Sequence, residues 1–583
     1  MGNSIAVYAV ADNIISSLGV NTDENLNNIF EQKSGIRKID EPELYYRPIM
    51  AGRLDWNRVE SMPMFKLSHN STKLESLMTA SVADALSKTQ VDAKDVETIF
   101  IFASTKGNID QIANNKDISW QDVLMHHMAS IVSSNFGSPN TPIVVSNACV
   151  SGVMAIVMAC DLLKSGKYKN AVVVGGDILS EFVISGFDSF KSMSDELCRP
   201  YDKDRTGLNL GEGAATLILS TDESLSASYK KVMVSAGSTS NDANHISGPS
   251  RTGEELAMAI KDVLKLAGAS AEDIDMVDAH GTATVYNDEM ESKAMELCGL
   301  QNVPMISLKS YFGHTLGASG LIESIVCIEC MRKGRIPKTL GFENIGTPVK
   351  LNISKESKKA NLRNVLKTAS GFGGCNAAIL LSTEYTGRQS AGQAVIEVQK
   401  KCNIKDRKIL IDGNVVFDGT ECDNYYDFLR FAFKQISPEP YMKFGKMDNL
   451  CRLAVTCAEY LLNNVDLSEY TDRDIALLLS CKTSSLETDT QHQAIIEKKD
   501  PYQPSPAIFV YTLSNIMQGE ICIRHKIKGE CICLVEGSLK DNTVVEYASE
   551  LFSQGRAKVC IAGYADYLDG KYAAQLSLLT PRT

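Results

Sequence analysis

The stretch Ile143-Val144-Val145-Ser146-Asn147-Ala148-Cys149-Val150-Ser151-Gly152 carries β-branched residues into a polar break and then into a cysteine at the threshold of a helix. Ile143 to Val145 reads as a buried strand, Ser146 and Asn147 end it, and Ser151 to Leu163 is mostly apolar with small residues at Gly152, Ala155 and Ala159. Strand, sharp turn, Cys and buried helix make an arrangement that can bear a nucleophile. A thiol at a helix N-terminus faces unpaired backbone N–H groups and the positive end of the helix dipole, which favours the thiolate. That field is worth at most ~2 kcal/mol, so it lowers a thiol pKa of ~8.5 by about 1.5 units and brings the thiolate near neutral pH to roughly half. Cysteine is also among the most buried residue types, and a lone Cys here is more often structural than reactive. What the rest of the chain brings beside Cys149 decides between the two.

Working outward, Lys164 and Gly166 close the helix, and Asn170 to Val174 is a strand running into Gly175-Gly176-Asp177. Upstream, Ile5 to Val10 reads as a strand, Thr72 to Lys88 as a helix and Val96 to Ala103 as a buried strand. Strands alternating with helices predict an α/β fold with a mostly parallel, buried sheet. The plan then repeats. Helix 254 to 267 leads to a strand ending Asp278-Ala279-His280-Gly281-Thr282-Ala283-Thr284; strand Met305 to Leu308 ends in Lys309-Ser310-Tyr311-Phe312-Gly313-His314; helix Leu316 to Met331 closes with Arg332, Lys333 and Gly334. The pattern at 143 to 166 and again at 305 to 334 predicts two related halves, residues 1–225 and 226–383. After a polar connecting arm, 384–405, residues 406–583 read as a third, partial copy of the first half. Where the first half has its cysteine this copy reads Leu534-Val535-Glu536-Gly537-Ser538, so Gly537 is expected near the cysteine's place and no thiol stands there.

Composition excludes several function classes. The chain has 583 residues, 44% apolar and 22% charged, with a net charge of −12, which argues against a general affinity for nucleic acid or anionic membrane. Its sixteen cysteines are spread through long apolar elements rather than spaced as a small secreted framework, and no signal peptide is read at Met1-Gly2-Asn3-Ser4-Ile5. Reduced thiols and a cytoplasmic location are expected. No apolar run approaches the roughly 20 residues needed to cross a bilayer, so no membrane insertion is expected. The single C-x-x-C, Cys327 to Cys330, lies in a predicted helix without a second ligand pair and reads as a buried helix face, with no metal site.

One Cys, two His and one Lys thus fall at the ends of predicted strands in three separate segments, and in open α/β sheets ligands bind at that edge. With the nucleophile segment at Cys149 stand Arg199-Pro200-Tyr201-Asp202, Gly211-Glu212-Gly213-Ala214, the His-Gly-Thr at His280, Lys309 to His314, and Gly371-Phe372-Gly373-Gly374-Cys375-Asn376. In that order they resemble the β-ketoacyl-acyl carrier protein synthases, condensing enzymes of the thiolase-like superfamily, over roughly residues 4 to 383. The resemblance implies a five-layered αβαβα fold of two related halves, usually as a homodimer. Two departures concern the shape of the acyl pocket: Val150-Ser151-Gly152 follows the nucleophile where small serines are frequent, and Ala283 replaces the third glycine of His-Gly-Thr-Gly-Thr.

The chemistry the resemblance implies asks something of each residue. Cys149 takes an acyl group from a carrier thioester. The amides of Cys149 and Phe372 hold the oxyanion, and loss of one such donor typically costs ~10²–10³ in rate. His280 and His314, kept neutral by burial, donate to the malonyl thioester oxygen as decarboxylation forms an enolate. Lys309 sets the local field, with Glu323 on the following helix orienting it. Thr282 and Thr284 resemble pantetheine-contacting hydroxyls and Phe372 a gate over Cys149, while Cys375 has no family role. His126, His127 and His245 lack ligand-spaced companions and read as structural. The expected activity is a decarboxylating Claisen condensation of an acyl thioester with a malonyl-carrier thioester in fatty-acid, polyketide or polyene elongation. No cofactor is expected beyond the phosphopantetheine arm of the acyl carrier protein, and a second synthase-like subunit is a possible partner. The alternatives are a non-catalytic chain-length-setting or scaffold subunit, which commonly lacks the reactive Cys, and a CoA-dependent thiolase, which suits two catalytic Cys and one His.

Overall fold

In the computed structural model, which describes residues 5–62, 65, 71–114, 120–384, 394–437, 439–498, 503–540 and 542–582, the run at 143 forms a short strand at the edge of a five-stranded sheet. The first unit contains β1 (Tyr8–Ser16), α1 (Lys73–Leu86), β2 (Thr98–Ala103), β3 (Ile143–Val145), α2 (Ser151–Lys164), β4 (Asn170–Asp177) and β5 (Gly213–Ser220). Its strands lie in the order β1–β5–β4–β2–β3, antiparallel across β5 and parallel from β4 to β3. The apolar run at Ile5 joins the sheet only at Tyr8 and continues through Asp12 and Asn13, whose polar side chains are nonetheless buried.

The second unit supplies β6 (Met233–Asn241), β7 (Met276–Asp278), β8 (Met305–Ile306), α3 (Ser319–Lys333), β9 (Asn364–Gly371) and β10 (Cys375–Ser382). The order is β6–β10–β9–β7–β8, with the same directions at each step. The two central helices meet through glycine: a Cβ on Gly152 of α2 would lie 2.6 Å from Leu321 N of α3, and one on Gly320 would lie 2.6 Å from Val153. Gly152, one of the sequence's departures, is therefore a helix-contact residue. The expected helix from Leu316 starts as a single 3₁₀ turn, Leu316–Ala318, before α3 proper.

The third unit contains β11 (Ile396–Lys405), α4 (Asn449–Leu462), β12 (Ile475–Cys481), α5 (Ile516–His525), β13 (Cys531–Val535), α6 (Asn542–Ser553), β14 (Val559–Leu568) and β15 (Lys571–Pro581). Its order, β11–β15–β14–β12–β13, repeats the other two sheets strand for strand. The arm expected at 384–405 is therefore shorter than its sequence suggested. Ile396–Lys405 is polar on its exposed side but pairs with β15, and residues 385–393 lie outside the described residues.

Register locates the missing nucleophile. Ala103 pairs with Val145 and Cys481 with Val535, and Asp177 and Asp566 each accept from the threonine two residues past those partners, Thr105 and Thr483. Four residues beyond Val145 stands Cys149, and four beyond Val535 stands Leu539, so Gly537 occupies the place of Asn147 rather than that of the cysteine.

The third unit docks on the first by strand addition. β13 runs antiparallel to β3 with Leu534 opposite Val145, Ser146 N donates to Cys533 O at 3.0 Å, and Cys533 N donates to Asn147 Oδ1 at 2.8 Å. The free edge of β3 is thereby covered, which removes a row of unpaired main-chain groups. Flanking the seam is a buried ion cluster: Arg556 bonds Asp161 of α2 at 2.7 Å and Glu530 at 3.0 Å, while Glu530 also accepts from Ser238 Oγ and Thr239 N. Burial alone would raise Glu530, but Arg556 and Arg473 outweigh it and hold the carboxyl below its ordinary range. Removing one member of such a cluster strands the others, which typically costs 3–5 kcal/mol. Arg556→Ala should therefore lower the urea midpoint of the chain by an amount equivalent to about 3–5 kcal/mol, whereas Lys408→Ala, on the half-exposed Lys408–Asp418 pair, should shift it by less than about 1 kcal/mol. Equal shifts would contradict the assignment of the seam as the stabilising contact.

Candidate active site

Cys149 sits on a turn of 3₁₀ helix, Ala148–Val150, between β3 and α2. Ala148 takes φ +49, a left-handed conformation costing an L-residue about 1–2 kcal/mol, and the turn is held in it from both sides. Asn147 N donates to Ser151 Oγ at 2.8 Å, and the Asn147 side chain accepts from Cys533 of the third unit. The thiol opens into a cleft of about 250 Å³ also lined by His280, His314, Thr282, Thr284 and Phe372. All of the sequence's site residues except Lys309 and Glu323 therefore meet in one cavity, and those two lie directly behind it.

His280 follows β7, and its turn hangs from Glu291, which accepts from His280 N at 2.7 Å, Gly281 N at 2.8 Å and the Tyr201 hydroxyl at 2.9 Å. His314 follows the turn Lys309–Phe312, and Gly317 just beyond it donates its N–H to Asp177 at 2.7 Å. The two imidazoles stand edge to face, 5.2 Å apart, 3% and 1% exposed. Burial depresses both. His314 is lowered to about 3 with the Lys309 charge adding to the effect, and His280 falls well below its ordinary value for the same two reasons. Both rings are neutral at physiological pH, as the chemistry requires.

The thiol departs from expectation. Burial pushes Cys149 up to about 12 despite the opposing charge of Lys309, so desolvation outweighs the helix-end field and the resting group is a thiol rather than a half-ionised thiolate.

Behind the cleft lies a buried charge cluster with one member that the sequence did not reveal. Lys309 Nζ is ion-paired to Glu323 Oε1, Lys367 Nζ lies 2.7 Å from Glu323 Oε2 and 3.2 Å from Asp278 Oδ2, and all four side chains are 0–2% exposed. Two lysines face two carboxylates, which is how such groups can be enclosed together, although burial still raises Asp278 to about 7 against the pull of Lys367. Burial alone would raise Glu323, but Lys309 and Lys367 hold it below its ordinary value, so it remains a carboxylate. Lys367 sits mid-strand in β9 among apolar residues, with no motif around it to mark it. The sequence also left unmarked Asp242, which burial raises to about 7 and which accepts from Asn376 Nδ2 at 2.7 Å where both line the cleft.

Thr282 and Thr284 share a hydrogen bond of 2.8 Å at the cleft wall, and between them Ala283 takes φ +61, the conformation for which its family position carries glycine. Phe372, partly exposed, stacks on Phe187 at 6.2 Å and packs against Phe190 at 5.4 Å with the rings tilted. A Cβ on Gly371 would lie 3.2 Å from Cys149 N, so the strand end beside Phe372 passes directly over the nucleophile's amide. His245 is exposed at the surface, bonded to Ser247, and His126 packs near Gly537. Cys327 and Cys330 are buried on α3, the first with its thiol on Asp278. Among the described residues no group of three or more metal-ligating side chains is assembled, and no helix is long and apolar enough to cross a membrane.

A buried histidine whose ordinary value is depressed takes its proton more readily once unfolded, so between about pH 3 and about pH 6.5 it makes stability fall as pH falls. The denaturation midpoint of His314→Asn should accordingly decline less steeply than wild type between about pH 6.5 and about pH 4. Parallel curves would show that the ring is not held neutral.

Known proteins bear on this geometry. Residues 3–224 match the family model described as the β-ketoacyl synthase N-terminal domain and residues 231–343 its C-terminal domain, together more than half of the chain. The chain is 32% identical over 268 residues to a putative polyketide β-ketoacyl synthase 1 of Streptomyces halstedii, an alignment covering 44% of this chain and 64% of that protein. It is 29% identical over 414 residues to a putative mitochondrial 3-oxoacyl-[acyl-carrier-protein] synthase of Schizosaccharomyces pombe, covering 63% and 96%. The solved structure described as "PfaC Keto synthase-Chain length factor" superposes with a TM-score of 0.79 at 14% identity, over 99% of this chain and 78% of that one, a likeness of fold that includes the third unit. Together with the cleft that gathers Cys149, His280 and His314, these matches establish that the chain belongs to the β-ketoacyl synthase family.

Proposed function

We infer that the protein is a β-ketoacyl-acyl carrier protein synthase that joins an acyl thioester to a malonyl-carrier thioester with loss of CO₂. The convergence of a cysteine and two neutral histidines on one cleft, backed by the buried Lys309–Glu323–Lys367–Asp278 cluster, carries this reading. In the first half-reaction Cys149 Sγ attacks the acyl carbonyl, and the carrier sulfur leaves with the proton that the thiol gives up. Because Cys149 rests as a thiol, that proton must move as the C–S bond forms, so its transfer is coupled to acylation. In the second, the malonyl C–CO₂ bond breaks and its electron pair forms an enolate whose oxygen is held by His280 and His314. The enolate carbon bonds to the acyl carbonyl, and the Cys149 sulfur leaves and regains a proton.

An acyl carrier protein is the expected donor, in line with the name of the fission-yeast relative. The third unit covers the β3 edge in cis, so association with a second copy, if it occurs, uses another surface. The third unit is read as an in-chain companion of the condensing halves, without a nucleophile of its own. The scaffold reading loses ground to an intact nucleophile, and the thiolase reading to a cleft lined by a single cysteine.

Incubation with acyl-carrier protein should add one acyl mass at Cys149, and Cys149→Ala should remain unmodified. His280→Ala and His314→Ala should still be acylated yet lose condensation with malonyl-carrier protein by at least about 10²-fold. An unmodified wild type across a broad acyl panel would overturn the reading.

A further inference from the structure

Phe372 lines the cleft beside Cys149, and its main chain is held by the third unit. Asn515, at the N-terminal boundary of α5, is fully buried and donates from Nδ2 to Phe372 O at 2.8 Å. Glycine on both sides makes the contact possible. A Cβ on Gly373 would lie 2.5 Å from Asn515 Nδ2, and one on Gly519, a turn further along α5, would lie 2.9 Å from Gly373 O. Gly373 and Gly374 take φ +84 and +72, so the segment after Phe372 has backbone freedom that other residues would lack. The same Asn515 amide lies 3.6 Å from Cys375 Sγ, and Asn147 Nδ2 lies 3.7 Å from that sulfur, so the Phe372 segment and the nucleophile's turn meet at one buried point. The Phe372 ring is tied to the third unit as well: its ring neighbours Phe187 and Phe190 pack against Phe509 at 5.7 and 6.3 Å.

One detail separates Asn515 from an ordinary packing residue. Its Oδ1 is buried with no hydrogen-bond partner, and leaving a buried oxygen unsatisfied is unfavourable. An apolar residue of that size would fill the space without the cost, so the amide is retained for its N–H donor, for an acceptor used in another arrangement of the Phe372 segment, or for both.

We propose that Asn515 is a positioning residue through which the third unit latches the Phe372 segment over Cys149. It touches neither the Cys149 thiol nor substrate and acts through the Phe372 carbonyl. Phe372 must move for a malonyl unit to approach acyl-Cys149, and the latch resists that movement while Cys149 is free. The third unit would then suppress wasteful decarboxylation, in which the malonyl C–CO₂ bond breaks, the enolate takes a proton and no C–C bond forms. This last consequence rests on the condensing reading; the latch itself does not.

Two readouts separate the claims. Iodoacetamide alkylation of Cys149 in the full chain, followed by peptide mass spectrometry, reports access without any enzymatic assumption. Asn515→Ala and Asn515→Asp should each raise the Cys149 rate about tenfold and leave Cys298 and Cys422 unchanged; the aspartate keeps the shape and removes the donor. A melting curve on each variant shows that it is folded, and Asn515→Ser serves if either is not. Folded variants alkylated at the wild-type rate would overturn the latch. In the second readout, the ratio of malonyl-carrier decarboxylation to condensation should rise about tenfold in the same variants. A wild type that condenses, with an unchanged ratio in faster-alkylating variants, would overturn the suppression of decarboxylation, whereas a wild type that neither acylates nor condenses would instead overturn the condensing reading.

Discussion

The antiparallel junction of β3 and β13 is the contact on which the rest of the arrangement depends. It is short: Leu534 lies opposite Val145, with a main-chain bond from Ser146 N to Cys533 O and an amide bond from Cys533 N to Asn147 Oδ1. Its position matters more than its length. Two residues beyond Asn147 is the nucleophile, on a turn that already carries Ala148 in a left-handed conformation. A strained turn keeps its geometry only where its surroundings over-determine it, and here part of that determination comes from nearly 400 residues further along the chain.

From that junction the electrostatics follow in layers. Cys149 and the two histidines are buried at the cleft beside that junction, and burial is what favours neutral imidazoles and a protonated thiol. A buried lysine also demands a countercharge: Lys309 and Lys367 share Glu323, and Lys367 lies 3.2 Å from Asp278 as well. On the proposed condensing reading, the same burial would serve the second half-reaction, which needs neutral donors, and hinder the first, which needs a thiolate.

Much of this was legible in the sequence because it is written in local patterns. Strand, polar turn, apolar helix, basic residue and glycine recur at 143 and 305, and the His-Gly-Thr and Lys-to-His segments stand at strand ends, where α/β folds place ligands. The third unit was visible for the same reason, down to the absence of a thiol. What stayed hidden depends on contacts between distant segments. Lys367 lies in an apolar strand with no motif around it, and its role exists only because α3 and β7 bring Glu323 and Asp278 to it. Asn515 looks like any helix-start asparagine until the Phe372 carbonyl is seen against it. The polar look of 394–405 suggested a connector because one side of β11 faces solvent, while its pairing with β15 is a main-chain matter that side-chain pattern does not record. The two-residue offset at Gly537 likewise needed strand register to correct.

Hydrogen exchange on the unmodified chain tests the junction most directly. If the third unit braces the nucleophile's turn, the amides of Ser146 and Cys533, each a donor across the seam, share one opening event, and peptides covering 143–150 and 531–535 should show the same protection and lose it together as denaturant is raised. Free exchange at 531–535 while 143–150 stays protected would show that the turn holds itself, and would contradict the bracing of Cys149 by the third unit.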